Sequence, residues 1–229
     1  MTTPVFGKDV VYDVPNEVLM EQKKFVKFGL NTDNFRAYVG MIEKEVQNFL
    51  DTDSVFRTYQ MNDINEWGSF HSFKTTSEIT ILTAATTLQG KDVRSRMDKS
   101  FADLYMDLDG GFTPINFIFP NLPLESYRRR DRAQQKMSNF YVEILRKRKT
   151  EDFAHDHDMM ASLMQQQYRS GRTLGEREIA HIMIALLMAG QHTSSTTSAW
   201  ILLHLADNPD VWYVHCNFIF LYVFLSVYK

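Results

Sequence analysis

Residues 186–200 read Leu-Leu-Met-Ala-Gly-Gln-His-Thr-Ser-Ser-Thr-Thr-Ser-Ala-Trp. Ala189 and Gly190 take side-chain bulk away from one flank of a helix, so a flat or bulky group can approach the backbone there. Thr193 stands one turn after Ala189 on the same face. Its hydroxyl can bond back to the carbonyl of residue 189 and loosen that turn. Water then has room beside His192 and Thr193, and these two side chains can deliver protons to a bound group. A plainer account uses the same residues. Small side chains let helices pack closely, hydroxyls satisfy themselves on backbone carbonyls, and His192 fills a polar pocket. The residues alone leave both accounts open.

The element that must carry this segment is long. Thr173 and Glu176 have the spacing of a capping box, and no proline interrupts the chain from there to Asn208-Pro209. At 1.5 Å per residue, the helix runs about 45–50 Å and would cross a domain as its spine. Most of the remaining chain also reads as helix. Pro15 and Gly29 bracket one pattern, with Lys23 and Lys27 on a shared face. Phe35, Val39, Ile42, Val46 and Phe49 recur at spacings of three and four, the period of an amphipathic helix. Residues 77–90 make a shorter candidate that Gly90 can end. Residues 94–109 form another, broken at Gly110-Gly111. Pro114, Pro120 and Pro123 then predict an apolar loop with little regular structure. A basic helix resumes at residues 125–149, followed by a polar linker at 151–158 and a short helix near 158–168. Strand signals are few, mainly around residues 5–12 and 52–59. The expected class is mainly α.

Composition narrows the function classes. The chain has 229 residues, a net charge of -3 and 44% hydrophobic residues, 17 of them phenylalanine. That balance excludes a disordered chain and argues against a nucleic-acid binder. A single cysteine, Cys216, excludes a disulfide framework and a cysteine-rich metal site. The first residues lack a charged-then-apolar signal pattern. The last ones, Val-Trp-Tyr-Val-His-Cys-Asn-Phe-Ile-Phe-Leu-Tyr-Val-Phe-Leu-Ser-Val-Tyr-Lys at 211–229, are almost wholly apolar and aromatic.

The run Ala189-Gly-Gln-His-Thr193 resembles the central oxygen-activation motif of cytochrome P-450 monooxygenases. With histidine in place of the acid, it is similar to the fungal sterol 14α-demethylases in particular. Residues 6–30 (FGKDVVYDVPNEVLMEQKKFVKFGL) resemble their B′–C region, residues 101–120 (FADLYMDLDGGFTPINFIFP) their F–F″ segment, and residues 178–190 (EIAHIMIALLMAG) the approach to their long central helix. The likeness covers roughly residues 1–211. It implies a partial P-450 fold running from the B′–C region through the central helix.

The same resemblance implies a haem enzyme that removes the 14α-methyl group of sterols in ergosterol biosynthesis. Electrons would come from NADPH through a reductase partner. The intact enzyme would sit at the endoplasmic reticulum membrane. By that pattern, His192 and Thr193 form the proton relay, and Ala189 and Gly190 line the haem side of the helix. Tyr12 and Lys23 bond the haem propionates, an ion pairing that is sensible for a lysine. Thr2, Phe6, Val11, Tyr12, Phe112, Pro114, Phe117 and Met188 match positions lining the sterol cavity. A large rigid apolar ligand needs such an aromatic and aliphatic wall.

Other patterns are set aside. Glu125-Ser-Tyr-Arg128 spells the family's structural acid-base motif but precedes the long helix, where the family's motif follows it. His155-Asp-His-Asp158 is read as a polar linker and not a metal site. His181 and His204 are read as ordinary helix-face histidines, and the basic stretch at 128–149 as a solvated helix surface. Residues 1–210 are expected to form a partial P-450 domain. Residues 211–229 are expected to be a divergent tail outside the family's sequence. Cys216 lacks the glycine-rich surround of the family's haem-binding loop, so it is not assigned as iron ligand. The chain is therefore expected to be an inactive internal fragment. The competing expectation is a non-catalytic helical protein that binds lipid, a partner helix or a membrane.

Overall fold

The computed structural model describes residues 2–56, 69–97, 99–111, 113–150 and 158–211, with backbone alone for 99, 100, 102 and 117. The chain winds through α1 (Thr3–Phe6), α2 (Asn16–Gly29), α3 (Thr32–Thr52), α4 (Ser72–Ala84), α5 (Lys91–Ser95), α6 (Lys99–Asp109), α7 (Pro114–Ile118), α8 (Glu125–Thr150), α9 (Met159–Met164) and α10 (Glu176–Asp207). Among the described residues there is no strand, only one isolated bridge between Gln167 and Thr173. The class is mainly α, as the periodicities predict.

Helix α10 is the spine. It packs along α4 and α8, while α6 lies on α8, α3 on α4, and α9 on α2. The core follows from residues 179–188 of α10, which are apolar on every side but for His181. Ile179, Ala180, Ile182, Met183, Ile184 and Leu187 are all buried, and an all-round apolar helix is stable only when enclosed. Met137, Tyr141, Ile144 and Leu145 of α8 and Phe101, Tyr105 and Leu108 of α6 complete the cluster.

The start of α10 differs from the sequence expectation. The N-cap is Gly175 rather than Thr173. The Glu178 carboxylate reaches back to accept from the Gly175 N–H at 3.1 Å. Thr173 is committed elsewhere, in the bridge with Gln167, beside a turn that needs Gly171 at φ +85. The helix ends at Asp207, where Asn208 leaves helical geometry (φ -128, ψ 75). Pro209 disfavours helix in the residue before it.

Two further expectations are corrected. Residues 5–12 are not a strand. Pro4 in the first turn favours the short helix α1, and Val11–Asp13 close a 3-10 turn. The Asp13 carboxylate fixes this segment by accepting from the Thr3 hydroxyl at 2.6 Å and the Asp9 N–H at 2.9 Å. Those bonds hold its pKa below the ordinary value. The loop after Gly111 is also more regular than its prolines suggest. Thr113 caps α7, accepting from the Asn116 N–H at 3.4 Å.

Buried polar crosslinks replace the simple solvated surfaces expected of the basic and histidine-bearing helices. Arg130, with only 2% of its side chain exposed, donates to Pro120 O at 2.9 Å and to Asn116 Oδ1. It lies over the Tyr127 ring at 4.7 Å. Arg148, equally buried, joins Asp92 and Asp158, with Nε to Asp92 at 2.7 Å and Nη1 to Asp158 at 2.8 Å. His181 is buried too. Its Nδ1 is 2.8 Å from Lys8 O and its Nε2 3.2 Å from Ser138 Oγ. Burial is the main cause that pushes its pKa down. Gly7 packs so closely on this imidazole that an added Cβ would come within 2.4 Å of it. Of the expected histidine placements, His204 alone is exposed on a helix face. The rest of the basic stretch, including Arg128, Arg129, Lys136 and Lys149, is exposed.

Candidate functional site

The site begins where α10 stops being apolar all round. From residue 189 onward its two faces differ. Gln191, Ser195 and Ala199, four apart, are buried. Ser195 O accepts the Thr76 hydroxyl of α4 at 3.0 Å, so this face is pinned to its neighbour. Ala189, His192, Thr193 and Thr197 are exposed and Gly190 is half-buried. An added Cβ at Gly190 would meet only Leu88 Cδ1, at 4.0 Å. No described neighbour therefore demands a glycine there.

The Thr193 hydroxyl donates to Ala189 O at 2.8 Å, the back-bond expected from the spacing. The helix continues unbroken through it. His192 Nδ1 stands 3.8 Å from Asp109 Oδ1, at the C-terminal end of α6. Asp109 is a polar partner that the sequence reading missed. Only its place before Gly110-Gly111 marks it as a residue at a helix end that can face another element. One turn earlier on α6, Tyr105 is buried, and its hydroxyl has no hydrogen-bond partner among the described residues. Burial first, and then the Asp109 charge, push that phenol above its ordinary pKa. Gln191 is 4% exposed, and its Oε1 likewise has no described partner.

The other expected residues are distributed around this segment. Tyr12 is 75% exposed and Lys23 is exposed on α2. No described hydrogen bond or ion pair joins either to residues 189–193. Gln22, beside Lys23, is buried and donates to Asp9 O at 2.8 Å, Tyr168 Oη at 3.0 Å and Glu178 Oε1 at 3.3 Å. The face of α2 opposite Lys23 is thus fixed against the root of α10. Thr2 is buried and its carbonyl accepts the Val5 and Phe6 N–H groups of α1 at 3.0 Å. Phe6 and Val11 are partly buried against the core. Val11 holds φ +55, a conformation that a β-branched residue adopts only under strain. Met188 lies inside the core, and Pro114 is exposed at the start of α7. Phe112, the side chain of Phe117, Cys216 and the residues 155–157 lie outside the described residues.

A cavity of about 610 Å³ opens at the other end of α10, against Asp9, Val14, Val18, Arg172 and Glu178. Residue 189 is roughly 16 Å farther along the helix, so this cavity is separate from the His192 segment.

The spine helix thus has one anchored face and one open small-residue face that carries a histidine and a back-bonded threonine. The sequence model of cytochrome P-450 matches residues 2–212, and the chain belongs to the cytochrome P-450 family. Among its relatives, lanosterol 14-alpha demethylase of Mycosarcoma maydis is 55% identical over 92% of this chain and 38% of that protein. Lanosterol 14-alpha demethylase of Candida tropicalis is 51% identical over 92% of this chain and 40% of that protein. The chain thus spans about two-fifths of the length of these relatives. Among solved structures, the cyanobacterial CYP120A1 with retinoic acid bound superimposes with a TM-score of 0.71. It covers 90% of this chain and 44% of its own at 17% identity, a likeness of fold alone.

Proposed function

We propose that residues 1–210 form the distal part of a sterol 14α-demethylase site, and that residues 211–229 stand outside it. The observation that carries the reading is the open face at Ala189, Gly190, His192 and Thr193, which begins where the enclosed stretch of the helix at residues 178–188 ends.

The described residues fit one side of a haem. Ala189 and Gly190 leave the backbone accessible to a flat group, and the orphaned Gln191 oxygen beside them can accept from water. Lys23 and Tyr12 would hold the carboxylates of the group. When bound, haem supplies the redox chemistry of oxygen activation. The chain's own part is to hold and move protons. Thr193 Oγ1, which donates its proton to Ala189 O, keeps its lone pairs to accept from a donor on the exposed side. His192 can take a proton from solvent and hold it against Asp109. Phe6, Val11 and Pro114 would supply apolar surface for the sterol and Thr2 and Tyr12 would border it, whereas Met188 is taken up by the core. NADPH, through a reductase, would supply electrons. Cys216, the chain's one cysteine, stands among aromatic residues without glycine around it. By itself this polypeptide is therefore proposed not to catalyse the reaction.

Membrane association has a surface to support it. Ile115, Ile118, Phe119, Leu122 and Leu124 are exposed beside Arg128, Arg129 and Arg132, the pairing of apolar anchors with cations that suits a lipid interface. No helix of the described residues is long and apolar enough to cross a membrane.

A chimera tests the reading. Residues 2–211 replace the matching segment of the Mycosarcoma maydis relative. The chimera is expected to demethylate lanosterol, and His192→Ala with Thr193→Val is expected to slow turnover by roughly 100-fold or more while the haem spectrum persists. A haem-loaded chimera that leaves lanosterol untouched, or a double variant with full turnover, refutes it. The 229-residue chain alone is expected to give no thiolate-haem band in a carbon monoxide difference spectrum.

A further inference from the structure

Residues 7–13 form a loop whose backbone its own sequence does not favour. Asp9 stands at φ +65 and Val11 at φ +55. They flank Val10, which is extended and sunk into the core. Aspartate tolerates left-handed backbone, but a β-branched residue there crowds its Cβ against the carbonyl that follows. Such a conformation persists only where its surroundings over-determine it, and it concentrates at sites that clamp a ligand.

The surroundings supply that hold. The Asp13 carboxylate accepts from the Asp9 N–H at 2.9 Å with one oxygen and from the Thr3 hydroxyl at 2.6 Å with the other. His181 of α10 places Nδ1 2.8 Å from Lys8 O. Gln22 of α2 donates from Nε2 to Asp9 O at 2.8 Å, which ties the loop to the helix turn that carries Lys23. The Asp13 N–H closes the turn around Tyr12 onto Val10 O at 3.0 Å. These bonds restrain the backbone on both sides of Tyr12, and Tyr12 itself is carried outward, 75% exposed.

We propose that Asp13 is a positioning residue for Tyr12, its carboxylate holding the strained turn at residues 9–13 so that the phenol serves the same haem carboxylates as Lys23. The inference rests on the proposed role of Tyr12 and Lys23. Asp13 is exposed, so its clip adds no buried surface to the core. What it fixes is the course of the backbone through Val11 and Tyr12. Without the clip, Val11 relaxes to negative φ, and that rotation redirects the Tyr12 side chain. The carboxylate acts here by geometry rather than by charge. An asparagine oxygen can accept the Asp9 N–H while its amide donates to the Thr3 hydroxyl, whereas alanine can do neither.

Asp13→Ala and Asp13→Asn test this. In the full chain without haem, the Asp9 amide of Asp13→Ala is expected to exchange its hydrogen roughly tenfold faster, and that of Asp13→Asn at close to the native rate. In the haem-loaded chimera with the Mycosarcoma maydis relative, Asp13→Ala and Tyr12→Phe are each expected to speed haem loss to apomyoglobin roughly tenfold. Asp13→Asn is expected to keep haem as the native residue does. The double variant Asp13→Ala, Tyr12→Phe is expected to lose haem no faster than either single one, because both remove the same bond. A double variant about a hundredfold faster, the sum of two independent effects, overturns the proposal. So does native haem loss in Asp13→Ala beside a fast Tyr12→Phe, an asparagine variant as poor as alanine, or unchanged exchange at Asp9. Native haem loss in Tyr12→Phe refutes instead the haem-carboxylate role on which the proposal rests, and the Asp9 amide reports the clip independently of that role.

Discussion

Glu178 lies 5% exposed at the root of the spine helix, and Glu178→Gln removes its charge while keeping its shape. In the native chain the carboxylate accepts from Arg172 Nη1 at 2.8 Å, Gly175 N–H at 3.1 Å, Gln22 Nε2 at 3.3 Å and the Tyr168 hydroxyl. A hydrogen bond to a charged group contributes about 1.5–3 kcal/mol net. The Arg172 side chain is 56% exposed, so its share is screened. The glutamine carbonyl keeps one bond, and its amide turns donors toward donors. The expected cost is about 2–3 kcal/mol, or roughly 1 M in the urea midpoint for a chain of this size. The pH dependence identifies the cause. Burial raises the Glu178 pKa, but the bonds from Arg172 and Tyr168 outweigh it and hold the group below its ordinary 4.5. Its contribution is therefore complete above the unfolded value and is lost as pH falls through the folded one. Urea titrations of both proteins at pH 7 and at several points below 4.5 should show their midpoints converging in acid. An equal difference at every pH, or none at pH 7, refutes the assignment.

Two other substitutions probe the crosslinks that hold the helices around the spine. Gly7→Ala places a Cβ within 2.4 Å of the His181 ring at φ +97 and is expected to lower stability by about 2–3 kcal/mol. Gly40→Ala, where nothing lies within 4 Å on α3, is expected to raise it by about 0.5–1 kcal/mol; thermal melts of the two should move in opposite directions. Arg148→Met strands Asp92 and Asp158 without their shared guanidinium. Its cost is expected near the low end of about 3–5 kcal/mol, because the Asp92 side chain keeps 26% exposure. Adding Asp158→Asn should recover part of the lost denaturation midpoint.

What could be read in advance followed from periodicity. The helices at Asn16–Gly29, Thr32–Thr52 and Glu125–Thr150 carry apolar residues every three or four positions, and the structure places them where that spacing predicts. Gly90 ends its segment at φ +102 as a left-handed stop should. Capping was less legible. Gly175 carries no side chain to announce an N-cap, and the group that completes it belongs to Glu178, three residues inside the helix. The burial of Arg130, Arg148 and His181 was illegible for a different reason. A cation or imidazole on a helix is solvated unless a distant segment brings partners, and those partners are Asn116, Asp92, Asp158 and Lys8. Asp109 escaped notice in the same way, since its nearness to His192 arises from the packing of two helices rather than from local spacing.

The two accounts of residues 186–200 that the sequence left open can be weighed face by face along the helix. Close packing explains Gln191, Ser195 and Ala199, which are buried where α4 bonds to the Ser195 carbonyl. It does not explain Ala189, Gly190 and Thr193. If contact with α4 alone had selected small residues there, those positions would be covered, and an added Cβ at Gly190 would collide. Instead Ala189 and Thr193 are exposed, and that Cβ finds its nearest described neighbour at 4.0 Å. Helix propensity also argues against a glycine at such a place, by about 1 kcal/mol relative to alanine. A glycine unfavourable for the helix and unneeded by its described neighbours is what the proposed haem-facing surface would call for. Thr193 and His192 are exposed next to that position, where the proposed function would have them deliver protons.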